Sequence, residues 1–243
     1  MDLMTIILIA FVVFVTGVSK SGFAGALGVF AVPLLMLKLP ATQAIALMLP
    51  ILIIADIFSV KSYWMKWDSK LLYSLIPGAV MGILIAHAVV SYVSISHLKI
   101  VIAATCIIFS LKGLILGNSK WTLLSSKAGS LFMSSLSGFS STLVHAGGPP
   151  LMMYLSAKGF SPKKFIATAS VFFAAMNVFK LLGFSVLGIL TLSEFTTALP
   201  FLPFALWGNQ FGVFLQVRVN KVTFLRLINA LLLLIGLYTF CSS

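Results

Sequence analysis

The sequence predicts an all-α polytopic membrane protein built from two inverted-topology repeats, each a broken-helix hairpin followed by three transmembrane helices. Three observations carry that expectation. Of the 243 residues, 60% are hydrophobic and only 8% charged, and the mean hydropathy is +1.16, whereas soluble domains carry roughly 25% charged residues. The chain also repeats itself: a shift of 121 residues lays Gly17 on Gly138, the "AIA" of 44–46 on the "FIA" of 165–167, and Asp56 on Asn177, with no gap. Further along, Pro77 and Gly82 meet Pro203 and Gly208 at a shift of 126. The third observation is the distribution of basic residues, which acquires meaning once the elements are placed.

The apolar runs recur from Leu3 to Cys241 and leave no stretch for a soluble domain, so the chain reads as a single integral membrane unit. The first repeat, 1–120, holds a broken segment at 3–38 and helices at 41–62, 71–92 and 97–117. The second, 121–243, holds a broken segment at 124–157 and helices at 165–188, 194–216 and 222–241. Each helix is close to the roughly 20 residues a bilayer requires. The pieces of the broken segments, such as 3–18 and 26–38, read as too short to cross comfortably. The opening stretch "MDLMTIILIAFVVFVTGVSKSG" imitates a signal peptide in its apolar run, but it begins with an acid and no A-x-A site follows, so it is expected to be mature structure.

Charge decides whether each broken segment crosses once or turns back. If both are hairpins, twelve of the sixteen Lys and Arg fall on one face, while Lys38 and Lys99 are the bases on the other. If both cross once, the same loops alternate and the asymmetry disappears. The positive-inside rule therefore selects hairpins, with both termini and the loop 93–97 outside, and 63–70, 118–123 and 157–164 cytoplasmic. Three crossings per repeat is an odd number, so the second copy is inverted relative to the first, a common plan for secondary transporters. The two hairpin tips, "GVSKSGFAGALG" (17–28) and "HAGGPP" (145–150), are then expected to meet near the midplane. Irregular backbone at that depth is tolerated where it is buried in protein or lines a wet cavity. Pro149 and Pro150 suit the first turn of a returning half-helix, whose start favours an anion.

Polar residues inside these segments are the candidate site. Lys20, between Ser19 and Ser21, sits in the first tip, where an uncompensated lysine costs about 2.5–3.5 kcal/mol. It either offers charge to an anionic substrate, pairs with Asp56, or caps the end of the first half-helix. Asp56 is the acid expected inside a span, as a proton carrier or as a fixed counter-ion. Its repeat equivalent is Asn177, with Lys180 one turn further on the same helical face, either toward the site or snorkelling to the surface. His145 reads as a proton relay, a substrate donor or a satisfied hydrogen-bond partner; His87 and His97 carry weaker claims. Thr168 and Ser170 either face the cavity or bond back to their own helix, and their first-repeat equivalents are Leu47 and Leu49. Gly147 and Gly148 complete the second tip.

Several function classes drop out. The net charge of +12 is spread over short loops without the basic, aromatic-interleaved patch of a nucleic-acid binder. Cys106 and Cys241 lack metal or redox spacing and read as buried small hydrophobes. No H-E-x-x-H, acid pair or Ser-His arrangement supports an intramembrane enzyme, and no cofactor or metal is called for.

The stretches "GALGVFAVPLLMLKLPATQAIAL" (25–47) and "HAGGPPLMMYLSAKGFSPKKFIATASVFFAAMNVFKLLGF" (145–184), with the helices containing "PGAVMG" (77–82) and "PFALWG" (203–208), resemble the sulfite exporter TauE/SafE family, also called TSUP. The resemblance covers essentially the whole chain. It implies an inner-membrane carrier of small anions, often sulfur oxyanions or organosulfonates, commonly in export. A coupling proton or cation is a candidate partner, and the residues leave monomer and homo-oligomer both open. It nominates Lys20, Asp56, Gly147, Gly148, Pro149, Pro150, Thr168, Ser170, Asn177 and Lys180. The first tip departs from the family pattern in being less glycine-rich. An anion channel is the second expectation within transport.

Overall fold

The computed structural model describes residues 2–89, 100, 103, 104, 106–108, 110, 111, 114, 115, 126–186 and 192–241. Among them every regular element is helical, and six helices are long and apolar enough to cross a membrane. The span expected at 97–117 lies mostly outside the described residues, as do His97, Lys99 and the loops 93–97 and 118–123.

The first broken segment begins with α1, Leu3–Gly22, capped by the Asp2 carboxylate, which accepts from the Thr5 amide. This helix runs further than the sequence suggested. Thr16 and Ser21 donate their hydroxyls to the carbonyls of Val12 and Gly17 one turn back, so the polar stretch around Lys20 stays helical. Its twenty residues rise about 30 Å, enough to span, which corrects the expectation that the first piece is too short, while the second, Ala26–Leu35, is short as expected. The break is confined to Phe23–Gly25. Ala24 and Gly25 both take positive φ, at 53° and 82°, and reverse the chain into a 3₁₀ turn, Ala26–Phe30, and the short α2, Ala31–Leu35. The return is real, because Ala31, Val32 and Leu35 pack in one cluster with Ile9, Val12 and Val13 of α1.

After α3 (Ala41–Ser62) and α4 (Ser69–Val89), the second broken segment comprises α5 (Lys127–Val144) and α6 (Gly148–Ala157). His145, at φ 54°, ends α5 in the left-handed conformation, and Pro149 and Pro150 occupy the first turn of α6, where a missing amide hydrogen costs nothing. α7 (Pro162–Val186), α8 (Leu192–Ala198), a 3₁₀ turn at Leu199–Phe201, α9 (Leu202–Val217) and α10 (Lys221–Cys241) follow.

Two helix pairs dominate the packing: α1 with α9, and α4 with α5. Both use the same glycines. A methyl on Gly82 would overlap the Ser135 carbonyl of α5, and one on Gly208 would overlap the Phe14 carbonyl of α1. Their partners are equally tight, since Gly17 abuts the carbonyl of Ala205 and Gly138 that of Ala79. Small residues let membrane helices approach where hydrophobic driving force is lacking. The outside remains apolar, with Leu3 at 72%, Leu84 at 63% and Trp207 at 60% exposure. Cys106 is buried as expected, but Cys241 is exposed at the end of α10.

At one end of the bundle Asp68 ties the α3–α4 loop to α7. Its carboxylate meets Lys164 Nζ at 2.8 Å and accepts from the Leu71 amide, and its own amide donates to Thr168 Oγ1. The hydrogen bond from Lys164, then that from Leu71, holds the Asp68 carboxyl below its usual range.

Two predictions follow from this packing. Gly82→Ala gains up to about 1 kcal/mol of helix propensity but drives Cβ into backbone, a net loss of about 1–3 kcal/mol. Gly28→Ala, whose Cβ meets open space, leaves thermal unfolding of the purified protein nearly unchanged. Asp68→Asn keeps the cap on α4 and removes the ion pair. Because the native carboxyl is depressed, its contribution is full above the unfolded value near ~3.9 and fades as pH falls through the lower native one. With Lys164 42% exposed, the loss at neutral pH stays below about 1 kcal/mol. The melting curves of variant and wild type then converge in strong acid.

Candidate functional site

The two tips touch. Gly148, at the start of α6, faces the carbonyl of Gly25, so closely that an added Cβ would lie 3.1 Å from that oxygen. Around this contact is a cavity of about 20 Å³ lined by Lys20, Gly25, Gly28, Leu52, Ser141, His145, Gly147, Gly148, Phe173 and Asn177. That is room for a water molecule and too little for a tetrahedral oxyanion. Since Pro149 and Pro150 have no amide hydrogen, the amides that the start of α6 can present are those of Gly147 and Gly148.

Lys20, in the last turn of α1, is 5% exposed. Its ammonium lies 2.7 Å from Asp56 Oδ1 and 4.4 Å from the centre of the Phe173 ring. The contact with Oδ1 is a charge contact that falls outside hydrogen-bond alignment. The other oxygen, Oδ2, accepts from Asn177 Nδ2 at 2.6 Å. Asp56 and Asn177, which the 121-residue shift of the sequence lays on each other, bond to each other.

The same equivalence governs their surroundings. Ser59 Oγ donates to the Lys20 carbonyl at 3.3 Å; one repeat on, Lys180 Nζ donates to the Ser141 carbonyl at 3.2 Å. Lysine and serine have exchanged places between tip and helix. Lys180 is fully buried and does not snorkel: it also donates to Ser141 Oγ at 3.1 Å and His145 Nδ1 at 2.9 Å. His145 Nε2 in turn lies 3.3 Å from the carbonyl of Ile45, which can only accept, so Nε2 carries the proton and Nδ1 receives the lysine.

The remaining sequence candidates stand apart from this cluster. Ser19 braces the first turn: its hydroxyl accepts from the Leu27 amide, and its carbonyl takes the amides of Phe23 and Gly25. Ser21 points away, its hydroxyl between the carbonyls of Gly17 and Asn209 and its carbonyl bound by the Tyr63 hydroxyl. Thr168 serves the Asp68 loop and its own helix. Ser170 meets Ser59 Oγ at 2.6 Å, one residue removed from the Lys20 carbonyl. Pro149 and Pro150 are buried and shape the tip without lining the cavity. His87 bonds its own helix through Nδ1 and packs on Phe184.

Ser141, Ser59 and Phe173 belong to the cluster and escaped the sequence reading. The 121-residue shift contains the signal for the first two, since it lays Lys20 on Ser141 and Ser59 on Lys180. Phe173 carries no such mark.

Removing one partner of a buried pair strands the other. Lys20→Met therefore costs about 3–5 kcal/mol by leaving Asp56 alone. The double variant Lys20→Met/Asp56→Asn recovers most of that loss, as a double-mutant cycle on thermal stability measures.

A family profile described as "Sulfite exporter TauE/SafE" matches residues 9–239. No curated protein and no solved structure matches the chain.

Proposed function

The chain belongs to the sulfite exporter TauE/SafE family, and from that premise we propose that it is a secondary transporter exporting small anions such as sulfite, other sulfur oxyanions or organosulfonates across the cell inner membrane. Membership makes it a multi-pass membrane protein of an anion-exporting family. The finer reading rests on one observation. Lys20 already has its counter-ion in Asp56, whereas Lys180, equally buried, has the neutral partners Ser141 and His145 and no carboxylate within ion-pair distance among the described residues. A buried cation with neutral partners is costly unless something negative visits it.

The two repeats are read as inverted, with both termini outside, and the tips as the halves of one site that opens alternately to either face. Reciprocal contacts support that reading: Gly17 with Ala205 against Gly138 with Ala79, and Asp56 with its own equivalent Asn177. A cavity smaller than the anion means that the tips must part for loading, and a rocking of one repeat against the other does this without exposing both sides. Proton coupling falls to Asp56, the one carboxylate among the described buried residues.

Reconstituted protein tests the proposal with labelled sulfite, thiosulfate, sulfonates and carboxylates, each at two pH values. Saturable, counter-flow-stimulated uptake of sulfite is expected. Asp56→Asn should abolish accumulation driven by a pH gradient and leave exchange in place. Non-saturating flux that follows voltage alone would make the protein a channel.

A further inference from the structure

Building on the reading of this cluster as the anion site, we infer that the site selects by charge number: it takes singly charged oxyanions, rejects doubly charged ones of the same size, and Asp56 is the residue that sets the number. The argument is a count of buried charge. Lys20 and Asp56, 2.7 Å apart, sum to zero. Lys180 faces three acceptors, the Ser141 carbonyl, Ser141 Oγ and His145 Nδ1, which is the hydrogen bonding of an ammonium with its three N–H groups. His145 donates through Nε2 and accepts through Nδ1, so its ring is neutral. Asn177 contributes no charge. With Asp56 ionised and Lys180 protonated, one positive charge remains.

Every member of the count is at least nine-tenths buried: Lys20 5%, Asp56 1%, His145 8%, Asn177 1% and Lys180 0% exposed. Water is therefore in short supply to absorb an imbalance. A singly charged anion brings the loaded site to neutrality. A doubly charged one leaves a net negative charge among Leu52, Phe173 and four glycines, which offer backbone dipoles and no further cation. The reciprocal exchange of lysine and serine fits this account. Each repeat places one lysine at the centre, and the acid occurs in one repeat while the other carries Asn177. With Asp at both equivalent positions the site would be neutral, and with Asn at both it would hold two positive charges.

Uptake of labelled sulfite into proteoliposomes at mildly acidic pH, where hydrogensulfite predominates, serves as the reporter. Methanesulfonate and sulfate are the competitors, tetrahedral anions of nearly equal size that differ by one charge. Methanesulfonate should inhibit at least about tenfold better than sulfate. Asp56→Asn, adding one to the site's charge, should narrow or reverse that ratio, and Lys180→Gln, removing one, should weaken methanesulfonate by about tenfold or more. Equal inhibition by the two anions in the wild type overturns the inference, as does a ratio unmoved by Asp56→Asn in a variant that melts like the wild type. If Asp56→Asn does not fold, the wild-type ratio and Lys180→Gln decide. Sulfite uptake without competition by methanesulfonate sinks charge selection and leaves the transporter; absence of sulfite uptake removes both.

Discussion

Lys20 and Asp56 could each be placed in the membrane interior only because the other is there. Separately, each is a charge deprived of water, with a penalty of several kcal/mol; at 2.7 Å they cancel. Much of the surrounding geometry serves to hold that distance. Ser19 ties down the turn that follows Lys20, α3 carries Asp56 past it, Asn177 fixes the second carboxylate oxygen, and Phe173 covers the ammonium. The glycine-lined seam between α1 and α9 allows α1 to lie deep enough for its last turn to reach α3.

Against this neutral pair the second lysine stands out. Lys180 is held by a serine, a backbone carbonyl and a neutral imidazole, all good acceptors and none an anion. A protein that needed only rigidity at this position could use a neutral residue such as Ser59, which the 121-residue shift lays on it. A cation retained at the cost of burial, beside two helix breaks and a cavity, is a recurrent sign of function inside membranes. Sulfite, the anion for which the family is named, is opposite in sign to that charge.

The cavity adds a dynamic requirement. At about 20 Å³ it is closed to any oxyanion, so the arrangement seen here has the tips together. The tips meet backbone on backbone at Gly25 and Gly148, and around that contact Ala24 and Ala26 of the first share one buried cluster with Ala146, Leu151 and Met152 of the second.

How much of this the sequence contained differs between its levels. Solvent, helix class, the places where helices break and the family likeness follow from composition, from glycine and proline, and from the 121-residue repeat, because each of these acts through neighbouring residues or the bilayer as a whole. Lys20, Asp56, His145, Asn177 and Lys180 were legible as misplaced polar groups for the same reason. Which of them pair was not. Ser21 lies next to Lys20 in the chain yet faces α9, and Thr168, two residues from Ser170, serves a loop. Helix azimuth and the crossing of one helix over another decide such partnerships, and both are set by packing of side chains distant in sequence. Only the folded bundle pairs Lys20 with Asp56 and sets Lys180 among Ser141 and His145, because electrostatic energy depends on distances through space and not on positions along the chain.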